Sequence, residues 1–444
     1  MKTFVLSNAK LVTPKGIFDG YLVVRDGKIV EVVRDQKYDG DADVIDLQGK
    51  HLLPGLIDVH VHFRTPGMTQ KEDWTTGSKA ALAGGVTTVF DMPNTNPPTI
   101  DQASLDMKRQ MVRQEALVNY GFFAGATKDN LAALRDMQGV VGIKVYMGSS
   151  TGNLLVDDLQ TLESLMRDSG KILALHAENE ACIQQGFAEH TTETDPAVHS
   201  KIRGPECAEK AVRAALELVQ KYRARVHFCH ATTRAELDLI RKFRKEQPQD
   251  IANLVSVEVT PHHLFLSDED YETYGNVVKV NPPLRSRDDV QALWEGIADG
   301  TVDMVATDHA PHLMEEKQLP YAQAPSGVPG VQTMLPLLLH AHHEGKISLE
   351  RIVELCSFSP AWRFGLTAKG SIEPGFDADF VVIDIALREK VCHKFLWTKA
   401  DWSPFHGWWL YGWPVMTFVG GQKMYEWRET FGRMPGREVT PDLG

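Results

Sequence analysis

The stretch Leu52-Leu53-Pro54-Gly55-Leu56-Ile57-Asp58-Val59-His60-Val61-His62 decides how the rest of the chain is read. An apolar run ends in two histidines spaced i, i+2. On a strand such residues share one face. Two imidazoles on one face at a strand's end can hold one metal ion. The plain alternative is a pair of histidines on a half-solvated strand face. The residues further along decide between the two.

Eight strand-like runs follow one another, at residues 56–60, 86–91, 117–123, 142–147, 172–176, 225–230, 254–259 and 302–307. Helical periodicity fills most of the gaps, as in residues 208–222 and 287–298. Strands alternating with helices imply a parallel sheet. Eight such units over roughly 300 residues imply an α/β fold, a (β/α)8 TIM barrel. No Gly-x-Gly-x-x-Gly follows the first run, which argues against an open doubly wound sheet. The two ends of the chain read differently. Asp26-Gly27 and Gly420-Gly421 each sit between short alternating runs, a two-residue hairpin signal. Phe380-Val381-Val382-Ile383-Asp384 adds another apolar run. The expected organisation is a small β-sandwich domain built from both termini, residues 1–53 plus 365–444. It would flank the barrel, residues 54–364.

The 444 residues are 43% hydrophobic and 24% charged, enough for a barrel and a second domain. A net charge of -12 argues against nucleic acid and anionic membranes as partners. Cys182, Cys207, Cys229, Cys356 and Cys392 show no Cys-x-x-Cys spacing. That odd, scattered set implies reduced thiols and a cytoplasmic setting. The first eight residues lack an apolar h-region, so no signal peptide is expected. No uncharged stretch approaches a membrane span.

Active sites of such barrels lie at the C-terminal ends of the strands. His60 and His62 end the first run, Asn94 follows the second, and Lys144 sits inside the fourth. His176 ends the fifth, His230 the sixth, Asn281 follows the seventh, and Asp308 and His312 follow the eighth. Each has a bland reading. A lone histidine at a strand end is often a satisfied core group, and an Asp after a strand often caps a helix. The joint placement around one mouth favours a site. Lys144 is flanked by Ile143 and Val145, and a buried lone ammonium is costly. A salt bridge or a snorkelling head group would relieve that cost. The sharper reading is a neutral amine carrying carbon dioxide as a carbamate, an anion able to bridge two metal ions. Four neutral histidines do not balance two divalent cations, whereas Asp308 plus a carbamate fit that need.

Six motifs carry a resemblance. They are Asp58-Val59-His60-Val61-His62-Phe63-Arg64, Ala83-Gly84-Gly85-Val86-Thr87-Thr88, Met92-Pro93-Asn94-Thr95, His176-Ala177-Glu178, Asn281-Pro282-Pro283-Leu284-Arg285 and Asp308-His309-Ala310-Pro311-His312. Together they resemble the cyclic-amidohydrolase branch of the amidohydrolase superfamily and, within it, the dihydroorotases. Arg64, Asn94 and His312 are the residues that look specific to that family. The resemblance implies two zinc ions per subunit. His60, His62 and Asp308 would hold one, His176 and His230 the other, with carbamylated Lys144 bridging them. Asp157 or Asp158 is the alternative bridge. The implied reaction is the reversible cyclisation of N-carbamoyl-L-aspartate to L-dihydroorotate in pyrimidine biosynthesis, through a metal-bridged hydroxide with Asp308 shuttling the proton. Arg64, Asn94 and His312 would clamp the substrate carboxylate, and Asn281 would read the ring. Arg64 is placed on the face of His62 by its i+2 spacing, provided the strand continues; an ion pair with Glu72 or Asp73 is the plain alternative. Residues 148–153 are read equally as a substrate lid and as a flexible loop. A homodimer is left open. The rivals are an allantoinase, a dihydropyrimidinase or hydantoinase, and a non-catalytic scaffold related to the dihydroorotases.

Overall fold

The computed structural model describes residues 3–150, 152, 154–430 and 436–442. The chain opens with five strands: β1 (Thr3–Thr13), β2 (Gly16–Arg25), β3 (Lys28–Arg34), β4 (Asp43–Asp46) and β5 (His51–Pro54). It then lays down eight parallel strands in sequence order: β6 (Leu56–Val61), β7 (Val86–Asp91), β8 (Asn119–Gly125), β9 (Gly142–Tyr146), β10 (Leu173–His176), β11 (Val226–Phe228), β12 (Val255–Val259) and β13 (Met304–Val305). Four further strands close the chain: β14 (Phe380–Lys390), β15 (Trp409–Val419), β16 (Gln422–Glu426) and β17 (Glu429–Thr430).

β6 to β13 pair as neighbours in chain order. Every residue of β6, β7, β8 and β9 is buried. Parallel strands covered on both faces read as continuous apolar runs, which is why these strands were visible in the sequence. The ring is closed by residues beyond β13. Val61 bridges His309, the His62 amide donates to the His309 carbonyl at 2.8 Å, and the Thr307 amide donates to Asp58 Oδ1 at 3.0 Å. Burial holds the Asp58 carboxyl up at about 7 even so. This is the (β/α)8 barrel expected from the alternation.

Amphipathic helices cover the ring. In Pro205–Tyr222 a stripe of Ala208, Ala211, Val212, Ala215, Leu216 and Val219 faces inward, and proline occupies the first turn. After β11, Thr233 caps the helix Arg234–Glu246 in a reciprocal box with Glu236. That cap fixes the chain immediately beyond His230.

The remaining strands form a separate nine-stranded sheet in which the two chain ends meet. β5 pairs antiparallel with β14, and β1 pairs with β2, β4 and β5. Asp26 and Gly27 have φ of 50° and 79°, and Gly420 and Gly421 have 53° and 74°. These are the left-handed angles that a type I′ hairpin needs. Two excursions tie this sheet to the barrel. Arg437 and Val439 hydrogen-bond to Tyr120 of β8. Between β14 and β15, the Thr398 hydroxyl donates to Glu72, and the Trp402 indole donates to the His312 carbonyl at 2.7 Å. The second sheet thereby braces the loops that carry Arg64 and His312.

One expectation fails. Cys182 and Cys207 form a disulfide with Cα atoms 5.4 Å apart; Cys229, Cys356 and Cys392 are free. Both paired residues lie in the first turns of neighbouring helices, Glu180–Glu189 and Pro205–Tyr222, a proximity that sequence spacing does not reveal. Among the described residues no helix is long and apolar enough to cross a membrane.

Candidate active site at the mouth of the barrel

His60 is the fifth residue of β6, and His62 lies just past its end. The His60 Nδ1–H donates to Glu258 Oε1 at 2.5 Å. The other oxygen of Glu258 accepts from His227 Nε2 at 2.8 Å, and His227 Nδ1 accepts from Ser256. His62 Nδ1–H donates to Asn94 Oδ1 at 2.7 Å. Both ring orientations are thus fixed, with Nε2 turned to Asp308 Oδ1, 3.3 Å from His60 and 2.9 Å from His62. Carboxylate or amide partners of this kind orient histidines that bind metal. Burial and Lys144 push the His60 imidazole down, yet Asp308 and Glu258 outweigh both and hold it at about 10. Burial brings His62 down to about 4.

His176 repeats the pattern on the far side. Its Nε2–H donates to Glu178 at 2.8 Å, leaving Nδ1 at 3.1 Å from His230 Nε2. Glu178 is fully buried and gripped by Arg203; burial pushes its carboxyl up, but Arg203 and His176 together outweigh burial and hold it well below its usual range. Burial, then His176 and Lys144, keep His230 neutral. The His230 Nδ1 is buried with no partner among the described residues, and such orphans are rare in native proteins. His60, His230 and Asp308 offer ligand atoms that all lie within 4.8 Å of one another. A nitrogen-rich donor set with one carboxylate fits a divalent metal ion of the zinc type.

Lys144 is fully buried, with Nζ 3.0 Å from Cys229 Sγ and 3.5 Å from His60 Nε2. Among the described residues no carboxylate forms an ion pair with it, so the salt-bridge escape is not taken. Asp157 and Asp158 are used elsewhere. Asp157 pairs with Lys128 at 2.6 Å, and Asp158 caps the helix Leu159–Asp168. Neither lies in this cavity.

The opposite wall carries positive charge. Arg64 is 1% exposed, donates to the Pro311 carbonyl at 3.2 Å and approaches His312 Nε2 at 3.2 Å. Among the described residues it has no carboxylate ion pair. Glu72 instead binds His309 and Thr398, and Asp73 binds Lys399. The premise of a continuing strand is wrong: β6 stops at Val61, and Arg64 has a φ of 61°. A buried Lys108–Asp91 pair sets that turn, because Asp91 accepts the Phe63 amide at 2.7 Å. His230 and Asp308 are also left-handed, at 33° and 44°, and such backbone concentrates at functional sites. His312 stands behind Arg64, with Nδ1 accepting a hydrogen bond from Lys71 Nζ at 3.0 Å and Nε2 facing the Ser326 carbonyl at 3.1 Å. Burial, Arg64 and Lys71 lower it to about 3.

The cavity is lined by His60, His62, Arg64, Asn94, Lys144, His176, His230, Asn281 and Asp308, joined by Tyr146, Ser150, Ser326 and Gly327. His312 supports Arg64 without lining it. Tyr146 brings a buried hydroxyl with no partner among the described residues. A Cβ on Gly327 would meet the Ala310 carbonyl at 2.5 Å, so only glycine fits that wall. Of the suggested lid, Ser150 lines the cavity, while Thr151 and Asn153 lie outside the described residues. Sequence reading gave no role to Glu258, Arg203, His199 or Tyr146. Glu258 had a signal, a carboxylate inside the apolar run Val257-Glu258-Val259.

The sequence pattern of the amidohydrolase family matches residues 51–424, and the chain belongs to that family. Within it, the chain is a member of the dihydroorotase group. It is 40% identical over 410 residues to a dihydroorotase of Methanosarcina acetivorans, covering 90% of this chain and 88% of that one. It is 36% identical to a dihydroorotase of Pyrococcus furiosus, covering 98% and 96%. Among solved structures it resembles an L-hydantoinase (dihydropyrimidinase) from Arthrobacter aurescens, with a TM-score of 0.94, 29% identity and coverage of 99% and 100%.

Proposed function

We propose that the chain hydrolyses the cyclic amide of L-dihydroorotate to N-carbamoyl-L-aspartate and catalyses the reverse ring closure, a step of pyrimidine biosynthesis in the cytoplasm. The observation that carries this reading is Arg64. A guanidinium 1% exposed and not ion-paired to any carboxylate among the described residues faces the same cavity as six candidate metal ligands. A buried cation is costly without a counter-ion, and a carboxylated ring supplies one. Arg64 can take that carboxylate bidentately, with Asn94 beside it and the Pro311 carbonyl holding its Nε–H from behind.

His60, His62 and Asp308 would hold one zinc ion, and His176 and His230 a second. Lys144, as a carbamate formed from its neutral amine and carbon dioxide with release of a proton, would bridge them. When bound, the ions supply a Lewis acid and acidify a water. Asp308 takes the proton of the attacking water and delivers it to the ring nitrogen as the C–N bond breaks and the new C–O bond forms. Ring closure runs the same transfers backwards. Glu258 and Glu178 keep the imidazoles in the tautomers this needs. Residues 54–364 would form the catalytic domain, and residues 1–53 with 365–444 its bracing partner.

The hydantoinase-like fold raises a second reading, a hydantoinase or dihydropyrimidinase acting on uncharged rings. Turnover of L-dihydroorotate, dihydrouracil and allantoin in parallel separates them. L-Dihydroorotate is expected to be preferred by at least about 100-fold, and preference for an uncharged ring would overturn the proposal.

A further inference from the structure

His199 stands outside the cavity, on the short helix Val198–Ile202, and is 3% exposed. Its Nε2 lies 3.0 Å from the Val280 carbonyl and 2.8 Å from Asn281 Oδ1. Its Nδ1 lies 3.0 Å from the Tyr321 hydroxyl. Two acceptors on Nε2 require the proton there, so Nδ1 accepts from Tyr321. Burial, then Arg203 and Lys279, bring the imidazole down to about 3, so the ring is neutral at working pH. Lys279 reinforces the arrangement by donating to the Tyr321 and Ala324 carbonyls, each at 2.8 Å.

We propose that His199 is a positioning residue that fixes which end of the Asn281 amide the substrate meets. With Oδ1 held by the Nε2–H, Asn281 turns its NH2 group toward the cavity it lines. The site then offers a donor to a ring or ureido carbonyl. The flipped amide would offer an acceptor to a ring N–H and would set its NH2 group against the His199 Nε2–H, donor against donor. The same segment ends in Arg203, which grips the carboxylate behind His176. One stretch of chain therefore orients both a candidate metal ligand and a substrate contact.

The inference rests on the dihydroorotase reading for the identity of the carbonyl, but the tautomer does not. Enzyme labelled with 15N-histidine and assigned with a His199→Gln control is expected to show His199 as the Nε2–H tautomer, whatever the enzyme turns over. With L-dihydroorotate, His199→Phe is expected to raise KM about 10-fold or more and to change kcat less than about 3-fold, with metal content unchanged. His199→Gln keeps an N–H donor and is expected to recover KM to within about 3-fold of the parent. An Nδ1–H tautomer would overturn the proposal, as would equal KM values for the Phe and Gln variants. Absence of L-dihydroorotate turnover by the parent enzyme, with the Nε2–H tautomer present, would instead strike the substrate assignment.

Discussion

The two walls of the cavity balance charge in opposite ways. Behind the histidines stand carboxylates: Glu258 on His60, Glu178 on His176, and Asp308 between His60 and His62. Arg64 has no carboxylate ion pair among the described residues; behind it stand His312 and Lys71, with Glu316 2.9 Å from Lys71 and 3.7 Å from His312. Lys317, 1% exposed, spends its charge on the carbonyls of Lys279, Pro325 and Gly327. One wall is therefore short of positive charge and the other short of negative charge. On the proposed function, a metal ion would relieve the first and a substrate carboxylate the second. Together they would orient a ring that carries its acid at one end and its scissile amide at the other.

Breaking the metal wall should have the largest effect. Lys144→Met removes the amine that would carry the bridge, and kcat is expected to fall about 10⁴-fold with loss of bound zinc. Assay together with elemental analysis checks both halves, and retention of two zinc ions would remove Lys144 from the ligand set. Glu258→Gln keeps the shape but weakens the hold on His60 Nδ1. Zinc affinity is expected to drop 10- to 100-fold by competition with a chelator, with the Arg64 wall opposite left intact. Sharpening the comparison on the other wall, Lys71→Met frees the His312 tautomer. It should raise KM by about 3- to 10-fold while zinc stays bound; a fall in zinc content would show that the walls are not separable.

What could be read in the sequence divides along the same line. His60, Lys144, His176, His230 and Asp308 are placed by chain order alone, because a barrel brings successive strand ends to one mouth. Their supports are not. Glu258 lies 198 residues from His60, and His199 lies 82 from Asn281. Only folding makes those neighbours. Arg64 lines the cavity because its turn is set by Asp91 and Lys108, not by the strand alternation read from the sequence. The Cys182–Cys207 pair escaped for the same reason as Glu258. The hairpins at Asp26-Gly27 and Gly420-Gly421 were legible because their signal is local.

The most direct test is the kinetics of Arg64→Met with L-dihydroorotate, with zinc content measured on the same preparation. Two oppositely charged and independent walls require kcat/KM to fall at least about 100-fold while zinc stays at the parent level. Unchanged kcat/KM would contradict the carboxylate clamp, and a matching loss of zinc would contradict the independence of the walls.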